Sequence, residues 1–206
     1  MTARTNPLPD GLLWRPGYLD EGQQRTLLAE IEALLQAAPF FRPSMPGSGK
    51  PFSVRMSNAG PLGWMADASG YRYQAEHPVT GKAWPAMPET LLRLWDQLTG
   101  YPHPPEACLI NHYDATAKMG LHRDADEAAR AAPVLSLSLG DTALFRIGGP
   151  ARKDPTRSFR LHSGDALVLG GASRECFHGI DRVLGGSSRL IPGGGRINLT
   201  LRRVTL

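Results

Sequence analysis

Arg196-Ile197-Asn198-Leu199-Thr200-Leu201-Arg202 alternates strictly between polar and apolar residues. Successive side chains of a strand point to opposite faces, so this period of two puts Ile197, Leu199 and Leu201 on one face. Arg196, Asn198, Thr200 and Arg202 then share the other. The same period recurs upstream in Ala107 to Tyr113, Val134 to Leu139, Ala143 to Ile147, Phe159 to His162 and Ala166 to Leu169. Turn residues separate these stretches: Gly140-Asp141, Gly148-Gly149-Pro150, Ser163-Gly164-Asp165, Gly170-Gly171 and Gly193-Gly194-Gly195. Many short strands joined by glycine-rich turns, with no helices between them, predict an all-β sandwich or barrel.

The polar face of the last strand is chemically specific. Two guanidinium forks with two neutral hydrogen-bonding groups form an anion-binding ladder, suited to a dicarboxylate such as 2-oxoglutarate. A half-exposed antiparallel strand with solvated arginines would carry the same pattern. A second element resolves the choice in combination. His122-Arg123-Asp124 sets an imidazole and a carboxylate two residues apart, on one face of an extended segment. His178, 54 residues beyond Asp124, can complete two histidines and one carboxylate. That set occupies one face of a metal and leaves the other open, as in non-haem Fe(II) oxygenases. His77 and His103 lie beside prolines, His112 alternates away from Asn111 and Tyr113, and His162 precedes a turn, so these four are read as surface or structural.

Asn111-x-Tyr113, His122-x-Asp124, His178 and Arg196-x-Asn198-x-Thr200-x-Arg202 together resemble the motifs of the AlkB family of Fe(II)/2-oxoglutarate-dependent dioxygenases, which repair alkylated nucleic acid. Leu62-Gly63-Trp64, Trp84-Pro85-Ala86-Met87-Pro88 and Gly170-Gly171 extend the likeness, which runs from about Phe40 to Arg203. The resemblance implies a mainly β protein with flanking helices: a double-stranded β-helix (jelly roll) over about 105–203, preceded by a nucleotide-recognition lid over about 43–81. It implies Fe(II) held by His122, Asp124 and His178, and a 2-oxoglutarate pocket of Asn111, Tyr113, Arg196, Asn198, Thr200 and Arg202, with Arg202 on the distal carboxylate. O2 is the oxidant. The implied reaction strips N-methyl groups from 1-methyladenine and 3-methylcytosine in DNA, with single strands preferred, and releases succinate, CO2 and formaldehyde. Substrate contacts carried over from the family are Met56, Trp64, Tyr71, Asp126 and Arg152. Leu169 departs from the pattern, standing where a tryptophan lies over the iron site in a bacterial member.

Length and composition agree with this reading. A chain of 206 residues, 41% hydrophobic and 20% charged, predicts a single domain over 11–206. A formal charge of +4 and a sequence pI near 9.3 fit a polyanionic partner. Residues 1–10 lack an apolar core and read as a disordered tail, and no apolar run is long enough to span a bilayer. Cys108 and Cys176 read as buried free thiols in a reducing cytoplasm, and the expectation is a cytoplasmic monomer. Between Asp20 and Ala38 the apolar spacing is helical, with Asp20 as cap and Gln23 three residues on. A second helix follows Pro88, buries Leu91, Leu94 and Trp95, and stops at Gly100. Between Pro43 and Gly81 glycine, proline and serine are frequent, so few core contacts are expected there. The aromatic residues of that stretch suit stacking on an unstacked base. RNA or a protein side chain as substrate, and a non-enzymatic nucleic-acid-binding barrel, are the alternatives.

Overall fold

The structure is a computed structural model that describes residues 8–206. Of the expected tail, residues 1–7 lie outside the described residues, whereas Leu8 packs on the interior and the Asp10 carbonyl accepts a hydrogen bond from the Ser173 amide. In chain order the elements are β1 (Leu12–Arg15), α1 (Glu21–Ala37), β2 (Arg55–Ala59), β3 (Gly63–Asp67), β4 (Gly70–Gln74), α2 (Glu89–Thr99), β5 (Ala107–Tyr113), β6 (Met119–His122), β7 (Val134–Gly140), β8 (Thr142–Ile147), β9 (Arg157–Leu161), β10 (Ala166–Leu169), β11 (His178–Leu184) and β12 (Arg196–Arg202). A short 3-10 turn at Gly171–Glu175 precedes β11.

The strands form a six-stranded sheet, β1-β10-β7-β12-β5-β2, and a four-stranded sheet, β6-β11-β8-β9. All pairings are antiparallel. Their inner faces share one apolar cluster that includes Leu109, Val134, Leu167 and Leu169 from the first sheet and Phe145, Ile147, Leu161 and Ile180 from the second. This is the expected jelly roll. The opposite face of the six-stranded sheet is equally apolar: Cys108 and Ile110, Leu135, Leu137 and Leu139, and Ile197, Leu199 and Leu201 pack against Leu27, Leu28 and Ile31 of α1 and Leu91, Leu94 and Trp95 of α2. Both faces of β12 are therefore buried, and its arginines are not solvated: Arg196 is 0% exposed and Arg202 6%.

The helix ends follow their sequence. Asp20 and Gln23 form a reciprocal capping box, with the Gln23 amide donating to Asp20 and the Asp20 amide donating to the Gln23 side chain. Gly100 ends α2 with φ of 60°, a left-handed conformation that suits glycine.

The segment 43–81 differs from expectation in one respect. Its first strand, β2, is an edge strand of the six-stranded sheet, with Arg55 opposite His112 and Ala59 opposite Cys108. Val54, Met56, Ser57, Asn58 and Ala59 are fully buried, so this part of the stretch is core and Met56 does not sit on a loop. Only the hairpin of β3 and β4 stands apart as a separate two-stranded sheet. It is fastened at its root by the Asn58 side chain, which accepts from the Trp64 amide at 3.0 Å and donates to the Trp64 carbonyl at 3.1 Å.

Candidate active site

His122 ends β6 and His178 begins β11, and the two are direct cross-strand partners. Residues so paired project from the same side of the sheet, with Cβ atoms about 5 Å apart. The His-x-Asp spacing then brings Asp124 to the same point, and ligand atoms of all three lie within 4.8 Å of one another. His122 Nε2 is 3.7 Å from Asp124 Oδ1, and His178 Nε2 is 3.8 Å from Asp124 Oδ2. Gly179 makes this close approach of β6 and β11 possible, because a Cβ there would lie 2.5 Å from the Met119 carbonyl oxygen.

The tautomers are fixed locally. His122 Nδ1 lies 3.0 Å from the Gly120 carbonyl, and His178 Nδ1 lies 3.0 Å from the Cys176 carbonyl. Each Nδ1 therefore carries the proton, and each Nε2 turns its lone pair toward Asp124. Burial, together with the neighbouring His122, pushes the His178 imidazole down to about 4, so it stays neutral. Burial alone would raise the Asp124 carboxyl, but the Arg202 guanidinium, with Arg174 behind it, holds it well below the ordinary range. Two imidazoles that each turn Nε2 toward one carboxylate, with no thiolate among them, fit a divalent iron. His112 and Asp114 repeat the His-x-Asp spacing without this outcome. His112 Nδ1 is 3.2 Å from Arg55 Nη2 beside Phe40, and Asp114 caps its own turn at Thr116 and Ala117.

A cavity of about 240 Å³ opens from the triad between the two sheets. Asn111, Tyr113, Arg196, Asn198, Thr200 and Arg202 all line it, because the register sets Arg196 opposite Tyr113 and Asn198 opposite Asn111. The two arginines play different parts. Arg202 Nη2 donates to Asp124 Oδ1 at 2.7 Å, Nη1 donates to the Tyr73 hydroxyl at 3.2 Å, and Nε faces Glu127 Oε1 at 3.5 Å. Both of its terminal nitrogens are engaged by protein groups, and only Nε lacks a hydrogen bond among the described residues, so it braces a metal ligand. Arg196 donates only through Nη2, to Ser138 Oγ at 2.8 Å, while its Nε and Nη1 are buried without a partner among the described residues. Burial pushes this guanidinium down to about 10. Unsatisfied buried donors are costly, and here they match a ligand carboxylate. The geometry therefore favours Arg196, not Arg202, for the distal carboxylate of 2-oxoglutarate. Six residues of strand put the two Cα atoms about 20 Å apart, with Arg202 marking the metal end and Arg196 the far end.

Residues not singled out from the sequence complete the support. Arg174 is 4% exposed and Glu127 3%. Arg174 Nη1 donates to the Asp124 carbonyl at 2.6 Å, Nη2 to Glu127 Oε2 at 2.7 Å and Nε to the Ala132 carbonyl at 3.1 Å. Tyr73 of β4 donates to Glu127 Oε1 at 2.5 Å. Asp124, Glu127, Arg174 and Arg202 balance as two acids and two bases, joined to the hairpin through Tyr73.

At the mouth, Trp64 stacks on Tyr71 with ring centroids 5.6 Å apart and 20° between planes. The Trp64 indole Nε1 donates to Asp126 Oδ2 at 2.8 Å. Met56 lines the cavity along with Trp64, Tyr71 and Asp126, and so does Leu169. Arg152 does not line it. Its Nη1 donates to the Leu121 carbonyl at 2.5 Å, and its guanidinium lies 5.5 Å from the Phe177 ring centroid, at the rim beside His122.

Residues 11–202 match the family model described as the 2OG-Fe(II) oxygenase superfamily. An alpha-ketoglutarate-dependent dioxygenase AlkB homolog of Caulobacter vibrioides is 57% identical over 190 residues, covering 91% of this chain and 85% of that protein. Alpha-ketoglutarate-dependent dioxygenase AlkB of Escherichia coli is 41% identical over 181 residues, covering 86% and 83%. A solved structure described as "The structure of OsALKBH1" superposes with a TM-score of 0.81 at 28% identity, covering 96% of this chain and 100% of that one. These matches set aside a non-enzymatic barrel. The chain belongs to the AlkB family of the 2OG-Fe(II) oxygenase superfamily and is a dioxygenase that depends on Fe(II), 2-oxoglutarate and O2.

Proposed function

We propose that this enzyme removes N-linked methyl groups from nucleic-acid bases, with 1-methyladenine and 3-methylcytosine in single-stranded DNA as its substrates. The observation that carries the reading is the layout of the cavity. The triad lines the same cavity as the Trp64–Tyr71 stack, which walls its mouth with Asp126 beside it. Aromatic faces receive an unstacked base, and chemistry on a base edge requires the base out of its stack. A carboxylate at that edge accepts from an exocyclic amino group and attracts a base made positive by methylation.

His122, Asp124 and His178 would hold the iron by one face, and Arg196, Asn111, Tyr113, Asn198 and Thr200 would hold the co-substrate. When bound, iron and 2-oxoglutarate activate O2 to hydroxylate the N-methyl carbon, and the hydroxymethyl product falls apart to formaldehyde and the restored base. The chain's own work is orientation and exclusion of water. Arg202 and Arg174 fix Asp124, the Trp64 indole holds Asp126 at the mouth, and Phe145, Leu161, Leu169 and Ile180 keep the cavity wall apolar. We place the enzyme in the cytoplasm as a monomer, a setting that suits its two buried free cysteines.

The test is formaldehyde release from methylated DNA, methylated RNA and unmodified DNA, assayed in parallel. Release from methylated DNA exceeding that from RNA is expected, and none from unmodified DNA. Turnover on RNA alone would move the substrate assignment, and turnover on neither would overturn it.

A further inference from the structure

The two outer surfaces of the sandwich carry opposite charge. The helices over the six-stranded sheet bring Glu21, Glu30, Glu32, Glu89 and Asp96 against only Arg25 and Arg93. The cluster beneath them contains no residue of the four-stranded sheet. That second sheet and its β8–β9 turn carry Arg146, Arg152, Lys153, Arg157, Arg160 and Arg182 against Asp154 and Asp181.

The register shows how these cations are arranged. Ala143, Phe145 and Ile147 of β8 are buried in the interior cluster, so Leu144 and Arg146 point outward. Arg182 of β11 and Arg160 of β9 flank Leu144 on its two sides, and Gly179 and Ser158 flank Arg146. With strands about 4.8 Å apart, the Arg160 and Arg182 Cα atoms stand about 10 Å apart across a narrow apolar strip. Both arginines are exposed, and neither has an ion-pair partner among the described residues. Arg146 reaches Asp181 at 3.1 Å, the one acid on the strands of this face.

The face also begins at the active site. His178 pairs with Ile147, so the mouth lies at that end of β8, next to the turn that bears Arg152 and Lys153. Arg146 comes next along β8, and the Arg182–Leu144–Arg160 row lies three residues from Ile147, about 10 Å further on. A soluble surface ordinarily intersperses both signs of charge. A predominantly positive field running outward from a catalytic mouth concentrates and steers a polyanion.

We propose that the outer face of the four-stranded sheet is a track for the phosphodiester backbone flanking the treated base, with Arg160 and Arg182 as its outlying contacts. This rests on the nucleic-acid reading above. It extends the binding surface beyond the mouth, and it makes affinity depend on strand length. A strand long enough to reach the row should bind more tightly than one confined to the cavity.

The experiment compares wild type with the double variant Arg160→Ser, Arg182→Ser by fluorescence anisotropy. The probes are labelled single-stranded oligonucleotides containing one 1-methyladenine, of about 5 and roughly 20 nucleotides, titrated across a salt series. For the longer probe, the slope of log affinity against log salt should fall by roughly 1.4, about 0.7 for each single-strand phosphate that the variant leaves unneutralised. Affinity for the short probe and formaldehyde release from it should be unchanged. The lysine pair Arg160→Lys, Arg182→Lys should keep the wild-type slope, and Arg25→Ser with Arg93→Ser on the helical side should leave it unaltered. Matching circular-dichroism melts exclude unfolding as the cause. An unchanged slope on the longer probe, with activity intact, overturns the track alone. Wild type that neither binds nor demethylates either probe overturns the nucleic-acid reading and the track with it.

Discussion

Replacing Glu127 by leucine should destabilise the protein and weaken its metal site together. Glu127 is 3% exposed and lies 2.7 Å from Arg174, 3.5 Å from Arg202 and within hydrogen-bond reach of Tyr73. Its loss leaves two buried guanidiniums with Asp124 as their one carboxylate. Breaking a buried pair by removing one partner costs about 3–5 kcal/mol, because the remaining charge is still desolvated. For a chain of this length that corresponds to a fall in Tm of roughly 6–20 °C. Arg174 also holds the Asp124 carbonyl at 2.6 Å, so metal affinity should fall about 10- to 100-fold, as for other supporting groups. Arg174→Met should do much the same alone. The double variant should be less destabilised than the sum of the two, by about 2 kcal/mol or more, since no uncompensated charge is left at that position. Urea denaturation gives the stability cycle, and Co(II) titration gives the metal affinity. Two strictly additive variants, each costing under about 1 kcal/mol, would show that the buried pair does not support the site.

Other consequences are as direct. Arg196→Leu should raise the KM for 2-oxoglutarate about 10- to 150-fold with folding intact, since a charge-assisted hydrogen bond is worth about 1.5–3 kcal/mol; an unchanged KM would return the distal carboxylate to another group. The metal-free protein should lose stability as pH falls. His178 is held near 4 in the fold against 6.5 in the unfolded chain, so between those values only the unfolded state takes up the proton. The loss should reach roughly 3 kcal/mol and level off below about 4, and His178→Gln should flatten that part of the profile. Trp64→Phe keeps a ring on Tyr71 but removes the donor to Asp126, so it should raise the KM for methylated oligonucleotide several-fold while leaving the KM for 2-oxoglutarate alone. Gly63→Ala should lower Tm without touching the chemistry, because its Cβ would fall 2.4 Å from the Trp84 ring.

Much of the fold is legible in the chain because the period of two is strict in β12 and clear in β7 from Leu135 to Leu139. It sorts side chains between the helix-covered face and the cavity, and the structure uses that sorting without exception in β12. What alternation cannot show is how far each inward residue lies from the metal. Arg196 and Arg202 are equivalent by period, and only the fold commits Arg202 to Asp124 and leaves Arg196 with free donors. β11 gives no clear period because Gly179 and an irregular register between Ile180 and Arg182 interrupt its pattern. Glu127 reads as a surface acid beside Asp126, and nothing local marks it as buried. Arg174 lies four residues before His178 on a 3-10 turn, where spacing rules carry no signal. The stretch Phe52 to Asn58 around Met56 reads as strand-like, but the turn formers around it hide that it pairs with β5 and is buried in the core.

The central claim is that three side chains hold one iron with a keto acid bound beside it. An anaerobic titration of 2-oxoglutarate into the Fe(II)-loaded protein, followed by visible absorption, tests it most directly. The account predicts a metal-to-ligand charge-transfer band that saturates at one keto acid per chain and is missing in Asp124→Ala. Tight 2-oxoglutarate binding with no such band, or a band that survives loss of Asp124, would contradict it.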